Sequence, residues 1–557
     1  GSRAGTALTS GQRSTAVGYY ALANCDDGDN NTAIGWEALE ANCGDNNTAL
    51  GTQALKVCTG GNNTAIGQGA MTDLVEGTDN VAIGKAAFGG ALDATADASV
   101  GNVFMGKDAG GGAWVTAVSN NNIGIGMNSM DGALAGALDN VAIGVHSLGV
   151  LTTGDRNVAI GYGAGGQSAD VDKVVLVGYN AGAGGNMTSD ADGTIAIGEH
   201  AGYALTSGRY NTAIGFQALF SEDDGDKNTA VGYMALQAQT GTSGDVHNTA
   251  VGYSASISIT TGVNNTALGS LALASNVDGD NNVAIGSASL YTFEASSDGD
   301  GCNTAVGANS GYLVSTGQDN VLIGENAGWI NGGTSLTTGS GNTLVGYQAA
   351  IGAAGATNRT AIGKGATAVG DNSVTLGNAD VTDVFMGQDK GAAVRADNNK
   401  IVCQGVEFPD TQSASGDANI LDDYEEGTWT PQVYYQNADD QSNVNYDTQV
   451  GFYTKIGNVV HIFLKLQWDA TDARANDNFG FKNLPFTSKS TTDFMARGSV
   501  ALSGITSTSI TPMILLGANS TTVILVDNST GSTTANMGNE IGEEDNIEMS
   551  ASLTYLV

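Results

Sequence analysis

Four short acidic stretches carry the densest chemistry in this 557-residue chain: CDDGDNN at Cys25–Asn31, EDDGDKN at Glu222–Asn228, NVDGDNN at Asn276–Asn282 and SDGDGCN at Ser297–Asn303. Hard carboxylate oxygens on a tight turn are what calcium selects. Calcium is therefore the one cofactor the sequence suggests, with Asp26, Asp27, Asp29, Asp223, Asp224, Asp226, Asp278, Asp280, Asp298 and Asp300 as its ligands. The opposing reading is that Asp-Gly is ordinary solvated turn chemistry, and the full EF-hand pattern is absent.

Catalytic chemistry finds less support. His146, His200, His247 and His461 lack metal-ligand spacing, and no Gly-x-Ser-x-Gly elbow or Cys/His pairing occurs. Gly161–Gly166 matches GxGxxG without a βαβ unit around it. Gly101–Lys107 nearly forms a phosphate-binding loop, but Asp108 stands where Ser or Thr would hold magnesium. Both are by-products of a glycine-rich text, so no enzyme is expected. Paired carboxylates keep a polysaccharide-cleaving glycosidase as a minor alternative.

The elements that position these loops are written in a repeated phrase. It reads NTAIGWEAL at Asn31–Leu39, NTALGTQAL at Asn47–Leu55 and NTAVGYMAL at Asn228–Leu236. Its closing glycine recurs from Gly18 to Gly377 at gaps of 14 to 22 residues, most often 17. A fixed phrase with elastic spacers is the signature of a solenoid whose insertions bulge from one face. Gly1–Phe408 contains no proline, which suits an uninterrupted ladder of backbone hydrogen bonds. The predicted fold is all-β. A parallel β-roll shaft of about twenty coils over residues 1–378 is followed by a neck at 379–420 and a C-terminal antiparallel β-sandwich or jelly-roll at 421–557.

Within Asn-Thr-Ala-Ile-Gly the side chains alternate, so Thr and Ile share one face and Ala takes the other. The branched residues are expected to fill the coil. The persistent alanines are then expected to pack against sister chains, which predicts a homotrimer. The Gly supplies a turn or close backbone approach, and the Asn residues stack into an amide ladder. Cys25, Cys43 and Cys58 fall in neighbouring coils, where a disulfide and simple burial as small apolar residues both remain open.

Two resemblances follow from quoted strings. TAIGKGATAVGDNSVTLGN at Thr360–Asn378 resembles the head repeat of YadA-type trimeric adhesins. That resemblance implies a left-handed parallel β-roll three chains wide. LDDYEEGTWTP at Leu421–Pro431, within Ile401–Pro431, resembles the neck and tip junction of phage tail fibres. It implies a virion protein that attaches to a host-cell glycan or protein receptor. The alternative is a bacterial surface adhesin head. Gly1-Ser2 reads as a cloning remnant, so a preceding segment joined to other tail proteins is expected.

Twenty basic against 57 acidic residues give a net charge of −37, which disfavours nucleic acid and anionic membranes. No stretch reaches the length of a membrane span. Strands are expected at Asn458–Trp468, Pro512–Val526 and Ile547–Val557. The aromatic residues Tyr434, Tyr435, Tyr446 and Trp468 are the expected sugar-stacking contacts, against the reading that they form sandwich core. Trp429 is expected as a packing anchor.

Overall fold

In the computed structural model, described for residues 1–92, 96–240, 244–297, 299–330, 332–382, 384, 424–435, 444–470, 479–489, 497–504, 512–527 and 547–557, the chain forms two compact units, Gly1–Ala392 and Ala393–Val557. The first is a parallel β-solenoid with a 21-stranded sheet. Most of its strands are three residues long, beginning with Thr15–Val17, Thr32–Ile34 and Thr48–Leu50. Neighbours pair in register, Thr15 on Thr32, Ala16 on Ala33 and Val17 on Ile34. Three residues alone could not hold a strand; the ladder does, because each donates and accepts across two neighbouring coils.

The closing glycine is obligatory for a local reason. Gly161 has φ +136°, and a Cβ there would lie 2.3 Å from the carbonyl oxygen of Gly178 in the next coil. The conformation disfavours L side chains, and the contact leaves no volume for one. The expected asparagine ladder is present and does more than stack. Asn140 Oδ1 accepts the backbone N–H of Asn157 at 3.0 Å and its side-chain amide at 2.9 Å, while Asn157 also donates to the Val171 carbonyl at 2.6 Å. Val174 and Thr194 interrupt the asparagines, and Arg359 follows the last of them, Asn342. Arg359 is nearly buried and bonded to Asp371 at 2.7 Å.

The assignment of strand faces is the reverse of the sequence expectation. Ala33, Ala49, Ala142 and Ala159 are fully buried inside the coil, whereas Ile34, Leu50, Ile143 and Ile160 are exposed. The alanines stay small because the lumen is narrow and is filled by the residue four places after the glycine, such as Leu39 or Leu148, or, at Gly165, by Leu148 and Leu176 of the neighbouring coils. Three of the departures from alanine show the volume rule. Phe104, Leu176 and Leu322 replace the alanine, and in their coils that fourth residue is Gly110, Gly182 and Gly328. A Cβ on Gly110 would lie 2.7 Å from the Phe104 ring. The alanine column therefore gives no evidence of sister chains.

Cys25 and Cys43 form a disulfide between successive coils, while Cys58 is a free buried thiol. Each of the two readings left open by the sequence thus applies to part of the set.

In the second unit, a five-stranded antiparallel sheet and a four-stranded antiparallel sheet share one apolar core, contributed by Ile462, Leu464 and Met549 from one sheet and Val433, Phe481 and Leu525 from the other. Strands Val459–Ala470 and Ile547–Leu556 agree with expectation. The single strand expected over Pro512–Val526 is instead two, Pro512–Leu516 and Thr522–Asp527, paired as a hairpin. The turn residues Gly517, Asn519 and Ser520 break the run. Most of the expected neck lies outside the described residues.

Candidate functional site

The acidic loops are chiefly structural. Asp29 Oδ1 accepts the backbone N–H of Gln12 at 2.6 Å, Asp226 that of Arg209 at 2.7 Å, and Asp280 that of Val263 at 2.7 Å. Each binds the coil before it, so the second aspartate of Asp-Gly-Asp ties coils together. Asp45, Asp155, Asp172 and Asp371 do the same. Asp26 and Asp27 are exposed, and Asp26 serves the preceding coil through its main-chain carbonyl. Asp278 is half-buried, and Asp300 accepts from the Ser296 hydroxyl at 2.9 Å. Asp298 lies outside the described residues.

Among the described residues, the three-carboxylate group close enough to share a cation is Glu222, Asp223 and Asp224. The sequence reading took the two aspartates and passed over Glu222. Glu222 occupies the buried corner seven residues after the closing glycine, where other coils carry Cys25, Cys58, Leu74 or Leu151. Burial, with Asp223 adding to it, pushes its carboxyl up to about 7. Its Oε1 accepts the N–H groups of Gly225 at 2.7 Å and Asp223 at 3.1 Å. An oxygen engaged by two N–H donors in an apolar corner is a weak calcium ligand, and one ligand atom from each of three carboxylates is short of the six to eight oxygens calcium takes. Among the described residues, the nine aspartates of the expected ligand set are not gathered into one site.

The aromatic residues expected to meet sugars are placed mostly in the sandwich interior. Trp468 is fully buried and Tyr435 nearly so. Tyr446 is half-buried against the core, and its hydroxyl accepts the Val433 backbone N–H at 2.8 Å. Tyr434 is half-buried. Trp429 does pack inward, with its ring 6.4 Å from that of Phe481. Trp468 and Tyr435 thus present no ring face for stacking, which corrects the expected contact set. The alternation Val460, Ile462, Leu464, Leu466, Trp468 already placed Trp468 on the buried side of its strand.

Exposed aromatic rings occur instead on the solenoid. The residue after the closing glycine is often aromatic, and rings in successive coils stack. Tyr162 and Tyr179 lie 5.2 Å apart with planes 12° from parallel. Phe216, Tyr233 and Tyr253 continue the same pattern at 5.2 Å. A second column, five residues after the glycine, stacks Tyr203 on Phe220 at 5.0 Å and Tyr291 on Tyr312 at 5.1 Å. The signal was legible as repeated Ile/Val-Gly-Tyr/Trp/Phe.

Where the second column drops to Gly149, Gly166 and Ala183, a cleft of about 270 Å³ opens along the coils, walled by Asn128, Asp131, His146, Tyr162 and Asn180. Two of the four histidines belong to this region. His146 meets Tyr162 edge-on, and His200 meets Tyr179 in the same way. Burial raises the Asp131 carboxyl above its ordinary range, with nearby Asp108 adding to the effect.

No family model matches the chain, and no curated protein matches it. Among the described residues, no helix is long and apolar enough to cross a membrane.

Proposed function

We propose that the chain is a structural and host-attachment component of a phage tail fibre, acting as a homotrimer that binds a cell-surface receptor. The observation that carries this reading is the outward strand face of the solenoid. Val17, Ile34, Leu50, Ile143, Ile160, Ile197, Ile214, Leu268, Ile323 and Ile362 are all exposed, aligned in one column by the register of the sheet. Surface apolar residues scattered singly need no explanation, but a continuous apolar row marks an interaction surface. A chain of net charge −37 repels copies of itself except where such an uncharged row meets another.

The trimer expected from the alanines is therefore proposed through the opposite face. Three chains joined along their outward Thr/Val and Ile columns would form a stiff shaft. Trimerisation would also multiply weak receptor contacts through effective concentration. The resemblance of Leu421–Pro431 to a fibre junction string supports the virion setting. Fluorescently labelled full chain added to a panel of bacterial strains tests the reading. Saturable binding to a subset, competed by unlabelled protein, is expected; absence of binding to every strain would overturn it.

A further inference from the structure

We propose that the cleft over the coils closed by Gly126, Gly144, Gly161 and Gly178 is a binding subsite for a neutral oligosaccharide. The inference rests on the attachment reading above and gives it a location on the shaft, away from the C-terminal unit.

Local sequence makes the cleft. Five residues after the closing glycine the chain carries Gly149, Gly166 and Ala183 in three successive coils, and then Tyr203 and Phe220 in the next two. Removing three side chains from a column otherwise able to carry stacked rings leaves a trough about 14 Å long at the inter-strand spacing. Asp131 stands at one end, and the Tyr203–Phe220 stack rises beyond the other.

Its walls combine two recognition elements. Tyr162 is 49% exposed, and its ring is stacked on Tyr179 and met edge-on by His146. A ring fixed before binding loses little entropy on contact, and the apolar surface it leaves exposed suits the C–H groups of a sugar. Asn128, Asp131, Gln167 and Asn180 supply polar groups around it. Asn128 and Asn180 stand in one side-chain column of the cleft wall. Gly163 between them leaves room for the Asn180 amide, since a Cβ there would come within 2.4 Å of the Asn180 oxygen, and the Asn180 amide nitrogen lies 3.4 Å from His200 Nε2.

Charge selects the class of sugar. Asp131 and the overall acidity oppose anionic polysaccharides. Apolar ring surface, uncharged amide side chains and repetition along one axis together favour a neutral polymer of similar units. The two decisive substitutions are already tolerated by the chain elsewhere. The position of Tyr162 is Thr52, Lys85 or Ser270 in other coils, and the position of Ala183 is Tyr203 one coil later. Tyr162→Ala removes the ring, and Ala183→Tyr extends the second column into the trough.

The test applies full-length wild type, Tyr162→Ala, Ala183→Tyr and the same-column control Tyr347→Ala to an array of neutral, amino and anionic bacterial oligosaccharides, after circular dichroism has shown equal folding. Wild type and Tyr347→Ala are expected to bind neutral glycans, and both cleft variants to bind about tenfold more weakly or worse. Equal binding by cleft variants would overturn the subsite while leaving the attachment reading intact. So would a loss in Tyr347→Ala as large as in the cleft variants, or wild-type preference for anionic glycans. Wild type binding no glycan, yet still binding cells, would also overturn the subsite and leave a protein receptor; failure on both array and cells would remove both readings.

Discussion

The inward and outward columns of the solenoid strands differ by one residue in sequence and obey different rules. Inward, volume is the constraint: alanine stands with leucine in coils such as Ala33/Leu39 and Ala142/Leu148, and a large residue stands with glycine, as with Phe104 and Gly110. Outward, the first strand position interchanges Thr, Val and Ile, as at Thr229, Val283 and Ile195, and the third stays apolar, as at Ile160 and Leu268. The first column answers to packing inside one chain. The second, whose third position is exposed in a single chain, has no such reason to stay apolar, and the proposed association with copies would supply one.

Substitutions can break that contrast, beginning with the inward side. Gly161→Ala places a Cβ 2.3 Å from a backbone oxygen at φ +136°, so a loss of about 4 kcal/mol is expected in urea unfolding. Ala142→Leu overfills a coil that already holds Leu148, with an expected loss of about 3 kcal/mol. The double variant Ala142→Leu/Leu148→Gly reproduces the Leu176/Gly182 pairing and should recover part of it. No recovery would show that lumen volume is not what keeps the alanines.

The buried corner sharpens the contrast through pH. Glu222 has a folded-state value near 7 against an ordinary 4.5. A carboxyl whose value is raised by folding favours the native state below the lower value and loses that advantage as pH rises through the upper one. Glu222→Gln should therefore match wild type near pH 4 and exceed it by up to about 3 kcal/mol at pH 8. Gln239 occupies the same corner in the next coil, so the amide fits. Equal stabilities at both pH values would show that the carboxyl is not held neutral. The smallest effect belongs to the outward column: Thr229→Val should change monomer stability by no more than about 0.5 kcal/mol.

Much of the shaft was legible in sequence because its repeat is a one-dimensional pattern. The spacing of glycines gave the coils, Asn-x-Ala gave the ladder, and the proline distribution agreed with the shaft. Which face points inward was not legible from alternation alone, since period two fixes two sets of side chains without saying which is inside. The pairing of Phe104 with Gly110 held that information, but reading it requires knowing that the two meet across a lumen. The acidic loops left two readings open for a related reason: a carboxylate accepting a main-chain N–H from another coil has the same local sequence as one awaiting a cation. The cleft was invisible because it consists of absent side chains at positions 17 to 18 residues apart.

Sedimentation of the full chain tests the outward-column account most directly. Wild type is expected at three times the 56.0 kDa chain mass, and a variant carrying Ile143→Glu, Ile160→Glu and Ile197→Glu is expected to shift towards the single-chain mass while keeping its β-sheet spectrum. Wild type sedimenting as a monomer, or a variant that stays trimeric, would contradict the claim that this column joins the chains.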